Sequence, residues 1–140
     1  MLLPDVNVWV AATFDTHQHH ASVKVWWDGL TDEPIAFTRM TQQGFLRLAT
    51  SNRIVGPQAL TLQQAWLKYD FYLSYPQITF VVEPIGVESR WRNMSDIPAC
   101  SPKMVNDAYL AGFAVAGGYE LVTFDQGFKQ YPGLNCTILT

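Results

Sequence analysis

Apolar residues along this chain occur in two rhythms, short unbroken runs and longer stretches with a period of three to four, and the two alternate from end to end. Residues 2–4 form a short apolar run. Residues 6–14 continue apolar with Asn7 inside, the pattern of a buried strand running into a helix with Asp5 at the junction. Thr16 suits the N-cap of a next helix, in which Val23, Trp26, Trp27 and Leu30 recur at helical spacing before Gly29 and Asp32 close it. Residues 35–38 predict a short strand and 41–49 a helix with Phe45, Leu48 and Ala49 on one face, turning near Asn52. Leu62, Ala65, Trp66, Tyr69 and Leu73 follow the series of an amphipathic helix bracketed by Pro57 and Pro76.

The β-branched and aromatic run 78–82, stopped by Pro84, predicts a strand. Residues 85–99 are mixed and predict only a short helix near their start. Ser101 and Pro102 give an N-cap with proline at the first helical position, opening a helix to about Ala116 that Gly117 and Gly118 end. Residues 121–124 predict a strand ending at Asp125, and 137–139 a last one. Strands alternating with helices predict an α/β fold with a mainly parallel sheet, whose ligands bind beyond the carboxyl ends of the strands. Asp5 and Asp125 both fall at such ends, where the hydrophobic pattern does not call for an acid.

At 140 residues the whole chain is expected to form one domain. Hydrophobic residues make up 49% and charged ones 15%, far from the signature of disorder. Cys100 and Cys136 lack zinc or disulfide spacing, which favours a reducing, cytoplasmic setting. The first residues meet Asp5 before a basic region or a long apolar run, so neither a signal peptide nor a membrane anchor is expected. The net charge of -3 runs against nucleic-acid binding, unless the acids gather around bound cations and the nine basic residues line a rim.

Asp107 lies inside the helix opened by Pro102, beside Val105, Ala108, Leu110 and Ala111. Taken singly, Asp107 also suits a solvated first turn, and Asp5 a helix cap. Taken together, Asp5, Asp107 and Asp125 suggest a cation site, because carboxylates converging without basic partners repel one another. Oxygen ligands favour Mg2+ or Mn2+, ions that support phosphodiester hydrolysis without a His, Cys or Ser nucleophile. An aspartyl-nucleophile phosphohydrolase is a rival reading of Asp5, but its signature wants a second Asp where this chain has Asn7. His17, His19 and His20 crowd one helix start, which predicts a solvated terminus rather than a metal site. Trp26, Trp27 and Trp66 are expected in the core, leaving Trp91, between Arg90 and Arg92, as the tryptophan suited to RNA.

Leu2-Leu3-Pro4-Asp5-Val6-Asn7-Val8 resembles the opening strand and first acid of VapC-type toxin ribonucleases of the PIN-domain family. Asn106-Asp107-Ala108-Tyr109-Leu110-Ala111 resembles their third acidic motif, and Val122-Thr123-Phe124-Asp125-Gln126-Gly127-Phe128 their fourth. Residues 17–27 and 41–48 are similar to stretches of a mycobacterial-like branch. The resemblance implies a PIN fold with a sheet of about five strands, Mg2+-dependent endoribonuclease activity, dimerisation, and neutralisation by a VapB-type antitoxin. It assigns Asp5, Asp107 and Asp125 as catalytic metal ligands, with Asn7 and Thr123 orienting carboxylates or water. The chain departs from the pattern at Gln42-Gln43-Gly44, where many PIN nucleases carry a glutamate, which predicts weaker binding of a second ion unless Glu83 or Glu88 substitutes. The same departure leaves open a PIN-fold RNA-binding or regulatory protein without catalysis.

Overall fold

The computed structural model describes residues 1–98 and 101–140, so Cys100 and the end of the mixed segment at Ala99 lie outside the described residues. The strands are β1 (Leu2–Pro4), β2 (Ile35–Phe37), β3 (Ile78–Phe80), β4 (Glu120–Thr123) and β5 (Cys136–Ile138). All pair in parallel, in the order β3-β2-β1-β4-β5. The α-helices among the described residues are α1 (Val6–Thr13), α2 (His20–Asp28), α3 (Arg39–Ala49), α4 (Asn52–Val55), α5 (Leu62–Leu73), α6 (Val87–Met94) and α7 (Pro102–Gly117).

Alternation along each strand divides the core into two layers. Leu2, Ile35, Phe37, Ile78 and Val122 meet α1, α2, α3 and α5 on one face of the sheet. Leu3, Ala36 and Leu121 meet α6 and α7 on the other. Four successive residues of α1, Val8 to Ala11, are buried because sheet and helices enclose it on every side. Trp9 anchors that layer, stacked on Phe37 with ring centroids 3.8 Å apart. Truncating a buried aromatic of this kind costs about 3–5 kcal/mol.

Two helical glycines set how closely helices approach. A Cβ on Gly44 of α3 would lie 2.5 Å from Val6 Cγ2, and one on Gly112 of α7 would lie 2.7 Å from the backbone nitrogen of Trp91 in α6. The first contact holds α3 against the start of α1, beside Asp5. Helix α7 opens on Pro102 at its first position and ends at Gly118, whose φ of 67° suits glycine. The Ser101 hydroxyl makes no capping bond.

Other expectations need correction. Helix α2 starts at His20 with His19 at its N-cap, and the expected cap, Thr16, instead donates to Gln58 Oε1 at 2.7 Å. Helix α3 starts at Arg39 because Thr38 and Thr41 form a reciprocal capping box directly after β2. The turn near Asn52 is the short helix α4. On α5 the buried residues are Ala65, Tyr69 and Tyr72, while Leu62 and Trp66 stay 60% and 42% exposed. Trp26 is only half-buried. Helix α5 carries more apolar residues than one face can bury, so packing against α3 and the sheet selects the face, which periodicity leaves ambiguous.

Candidate active site

The strand order reverses between β1 and β4. Successive β-α units run outward from β1 to β3 on one side and from β4 to β5 on the other. A crevice opens at such a switch point, beyond the carboxyl ends of the two diverging strands. Asp5 follows β1 and Asp125 follows β4. The backbone nitrogen of Asp5 donates to the Val122 carbonyl at 2.8 Å, tying the two strand ends together. Asp107 reaches the same crevice from α7, and Gln43, Gly44 and Arg47 line its far wall from α3. The crevice has a volume of about 610 Å³ and also admits Asn7, Lys103 and Asn106.

Asp5 is both a helix cap and an enclosed acid. Its Oδ1 accepts from Val6 N at 2.7 Å, while Oδ2 accepts from Asn7 Nδ2 at 3.0 Å and from the Thr123 hydroxyl at 2.8 Å. Thr123 is fully buried, and its oxygen also accepts from Asn7 Nδ2 and from Asp125 N, each at 3.1 Å. A hydroxyl has one donor and two lone pairs, and all three are used here. Burial pushes the Asp5 carboxyl up to about 6 against the lowering effect of its donors, and the charges of Asp107 and Asp125 raise it further.

Asp107 and Asp125 are held differently, and here an expectation fails. They do have a basic partner: Lys103, one helical turn before Asp107, donates to Asp107 Oδ2 at 2.8 Å and to Asp125 Oδ2. Its ammonium holds the Asp125 carboxyl below the usual range, and the two acids push the lysine up. The i,i+4 spacing of Lys103 and Asp107 is the signal that would have found this residue. Arg47, in the last turn of α3, has no ion-pair partner among the described residues and faces the crevice.

The remaining candidates stand elsewhere. Glu83 accepts from the Tyr109 hydroxyl at 2.6 Å and Glu88 pairs with Arg92 at 2.8 Å, both around a separate cavity of about 730 Å³ between α6 and α7. Neither replaces the missing glutamate. Trp91 borders that cavity too, its indole donating to the Val105 carbonyl at 3.1 Å. The three histidines do not gather on a point. His17 Nδ1 accepts from His19 N at 3.1 Å, His19 stacks on Phe124 at 4.2 Å, and His20 hydrogen-bonds the Ala11 carbonyl at 2.8 Å.

Among the described residues no three acidic, histidine or cysteine side chains enclose an ion position as they stand, and an ammonium lies between two of the three acids. The donor chemistry nevertheless fits a hard divalent cation. All three side chains offer carboxylate oxygens, two of them already take a cation, and the third is enclosed without one.

The PIN domain profile matches residues 2–134. The chain belongs to the PIN-domain family. It is 39% identical to ribonuclease VapC41 of Mycobacterium tuberculosis, over 99% of both chains. It is 32% identical to ribonuclease VapC44 of the same organism, over 89% of this chain and 85% of that one. Among solved structures, that of M. tuberculosis VapC20, described as a Sarcin-Ricin loop cleaving toxin, matches the whole chain with a TM-score of 0.72 at 14% identity. VapBC2 from Rickettsia felis, solved bound to a promoter DNA fragment, matches 99% of this chain and 98% of its own with a TM-score of 0.64 at 15% identity. These structural likenesses carry the PIN fold, and the two sequence relatives place the chain in its VapC branch. No helix among the described residues is long and apolar enough to cross a membrane.

Proposed function

We propose that this VapC-type PIN protein is the toxin of a toxin-antitoxin pair, an endoribonuclease that hydrolyses RNA phosphodiester bonds with Mg2+ or Mn2+ held by Asp5, Asp107 and Asp125. The observation that carries the reading is that three chain-distant carboxylates share one crevice at the sheet's switch point, with the most enclosed, Asp5, lacking a cation of its own. When bound, such an ion supplies a water of lowered pKa and charge stabilisation at the phosphate, so a His, Cys or Ser nucleophile is not required.

The protein's own residues do the positioning. Val6 N, Asn7 and Thr123 fix the Asp5 carboxylate in advance, so that its oxygens need no rearrangement. Arg47 and Lys103 put positive charge at the crevice of a chain whose net charge is -3, which is where a phosphate backbone needs it. Gln43 stands on the α3 wall as an uncharged oxygen donor. With no acid on that wall, the site is built to hold one ion firmly rather than two.

The name ribonuclease borne by VapC41 and VapC44 supports RNA as the substrate. The VapBC2 neighbour supports a VapB-type antitoxin as the partner of this chain. We extend the reading to a cytoplasmic homodimer whose antitoxin lays a basic segment across the acidic crevice. A second reading, an RNA-binding PIN protein without catalysis, is favoured by the missing acid on α3.

One experiment separates the two. The purified protein is incubated with a panel of structured and single-stranded RNAs in Mg2+ or Mn2+, with chelator as the control. The nuclease reading expects metal-dependent cleavage, reduced roughly 100-fold or more by Asp107→Asn in a protein that still folds. Undiminished cleavage by that variant removes the metal-ligand assignment, and RNA binding without cleavage in either metal selects the second reading.

A further inference from the structure

Lys103 is committed to two acids, yet it is poorly placed to stay there. Its side chain is 65% exposed, while those of Asp107 and Asp125 are 21% and 29% exposed. A hydrated ammonium on a flexible stem gains little from an exposed pair and is released at small cost. The oxygens it holds, Asp107 Oδ2 and Asp125 Oδ2, belong to two of the three carboxylates assigned above to the divalent ion. A monovalent ammonium and a divalent cation cannot both occupy that gap. Once displaced, the lysine remains tethered to α7 at the crevice, where Arg47 faces it from α3. The new anion within its reach is then a phosphate of the bound strand.

We propose that Lys103 is a switching cation: it bridges Asp107 and Asp125 until a divalent ion displaces it, and then binds a nonbridging phosphate oxygen of the RNA. The inference rests on the nuclease reading for the identity of the strand. Arg47 differs from Lys103 in having no acid to leave, so its attraction for the strand does not depend on ion loading. Lys103 is thus a positioning residue whose direct contact with the strand forms only after the metal has entered.

The test uses Lys103→Met, with Lys103→Arg as the charge-preserving variant and Arg47→Met as the comparison. Mn2+ affinity is measured by calorimetry without nucleic acid. Affinity for a single-stranded DNA oligonucleotide, which offers phosphates without a 2′-hydroxyl, is measured with and without Mn2+. Lys103→Met should bind Mn2+ about tenfold more tightly, the scale of removing two exposed ion-pair contacts. Its affinity for the oligonucleotide should fall several-fold more with Mn2+ than without it, because the direct phosphate contact forms only after the ion has entered. Lys103→Arg should keep the Mn2+-dependent affinity, and Arg47→Met should lose affinity equally in both conditions.

Thermal melting of the metal-free proteins confirms folding, and Mn2+ should raise the melting temperature of Lys103→Met more than that of the wild type. Equal Mn2+ affinity in wild type and Lys103→Met overturns the proposal, as does a loss of strand affinity that is the same with and without Mn2+. Wild-type protein that binds no Mn2+ overturns both this proposal and the nuclease reading. Switching without cleavage of any RNA retains Lys103 in this role and discards only the reaction.

Discussion

Asp5, at the end of β1, is held by neutral donors from its own turn and from β4, whereas Asp107 and Asp125 across the crevice share a single ammonium. The first arrangement lies between two strand ends and is closed by a fully buried hydroxyl. The second joins a helix to the residue after a strand through an exposed side chain. Neutral donors orient a carboxylate without cancelling its charge, so burial still wins and the Asp5 carboxyl rises to about 6. The ammonium cancels charge without fixing geometry, and Asp125 moves below its ordinary range. One side of the site is therefore preorganised and short of positive charge, and the other is compensated and adaptable. On the function proposed above, a cation entering the crevice would find one carboxylate waiting and two that must exchange partners.

The largest effect that sharpens this contrast is the pH dependence of stability in metal-free protein. A carboxyl whose folded value is about 6 against 3.8 unfolded binds more protons folded than unfolded between those values. Stability from Asp5 is therefore gained as pH falls from above 6 to below 3.8, by about 3 kcal/mol in total at 1.36 kcal/mol per unit. Asp125 has the opposite sign: its contribution is present above its unfolded value and is lost as pH falls through its lowered folded value. Urea unfolding in chelator between pH 7.5 and 4.5, compared with Asp5→Asn, isolates the first group. If the difference between the two proteins does not change with pH, Asp5 is not the enclosed, uncompensated acid described here.

What the sequence could and could not reveal divides along the same line. Asp5 and Asp125 stand out in the pattern because a strand followed by an acid is unusual unless the acid has a task, and the parallel α/β alternation places both on one edge. The helix from Pro102 to the glycine pair is written in local chemistry, whereas the strand order that opens the crevice between β1 and β4 is not. On its own element, Lys103 reads as solvent-facing charge in a first turn until β4 brings Asp125 alongside. Periodicity puts Trp66 in the core because α5 offers two overlapping apolar series, and only the presence of α3 and the sheet decides between them. Where one element dictates a position, the residues announce it. Where two distant elements must meet, periodicity has no term for the encounter.

The preorganised side can be broken by removing its central hydroxyl. Thr123→Val keeps volume but removes the donor to Asp5 and the acceptor shared by Asn7 Nδ2 and Asp125 N. Leaving buried polar groups unmet costs about 1–3 kcal/mol, to be read by denaturant unfolding. RNA cleavage should fall about 10–100-fold, as expected when the group orienting a ligand is lost. A Thr123→Val protein with wild-type stability and activity would mean that Asp5 is oriented by Val6 N and Asn7 alone.

The smallest effect is expected on the adaptable side, and its smallness is what makes it informative. In metal-free protein, Asp107→Asn replaces one of the two charged partners of Lys103 with a neutral amide, weakening a contact to a side chain that is 65% exposed. Exposed pairs contribute about 0–1 kcal/mol, so the loss is small from the outset. It is offset twice over. Lys103 keeps its bond to Asp125, and the repulsion that Asp107 exerts on Asp5 disappears. Stability should therefore change by less than about 1 kcal/mol, in contrast to the cost of Thr123→Val a few residues away in space. Parallel unfolding curves in chelator measure both variants under one condition. A loss at Asp107 as large as that at Thr123 would show that the acidic side is part of the scaffold, built to hold α7 to the end of β4. It would also remove the reason to regard its carboxylates as free to change partners.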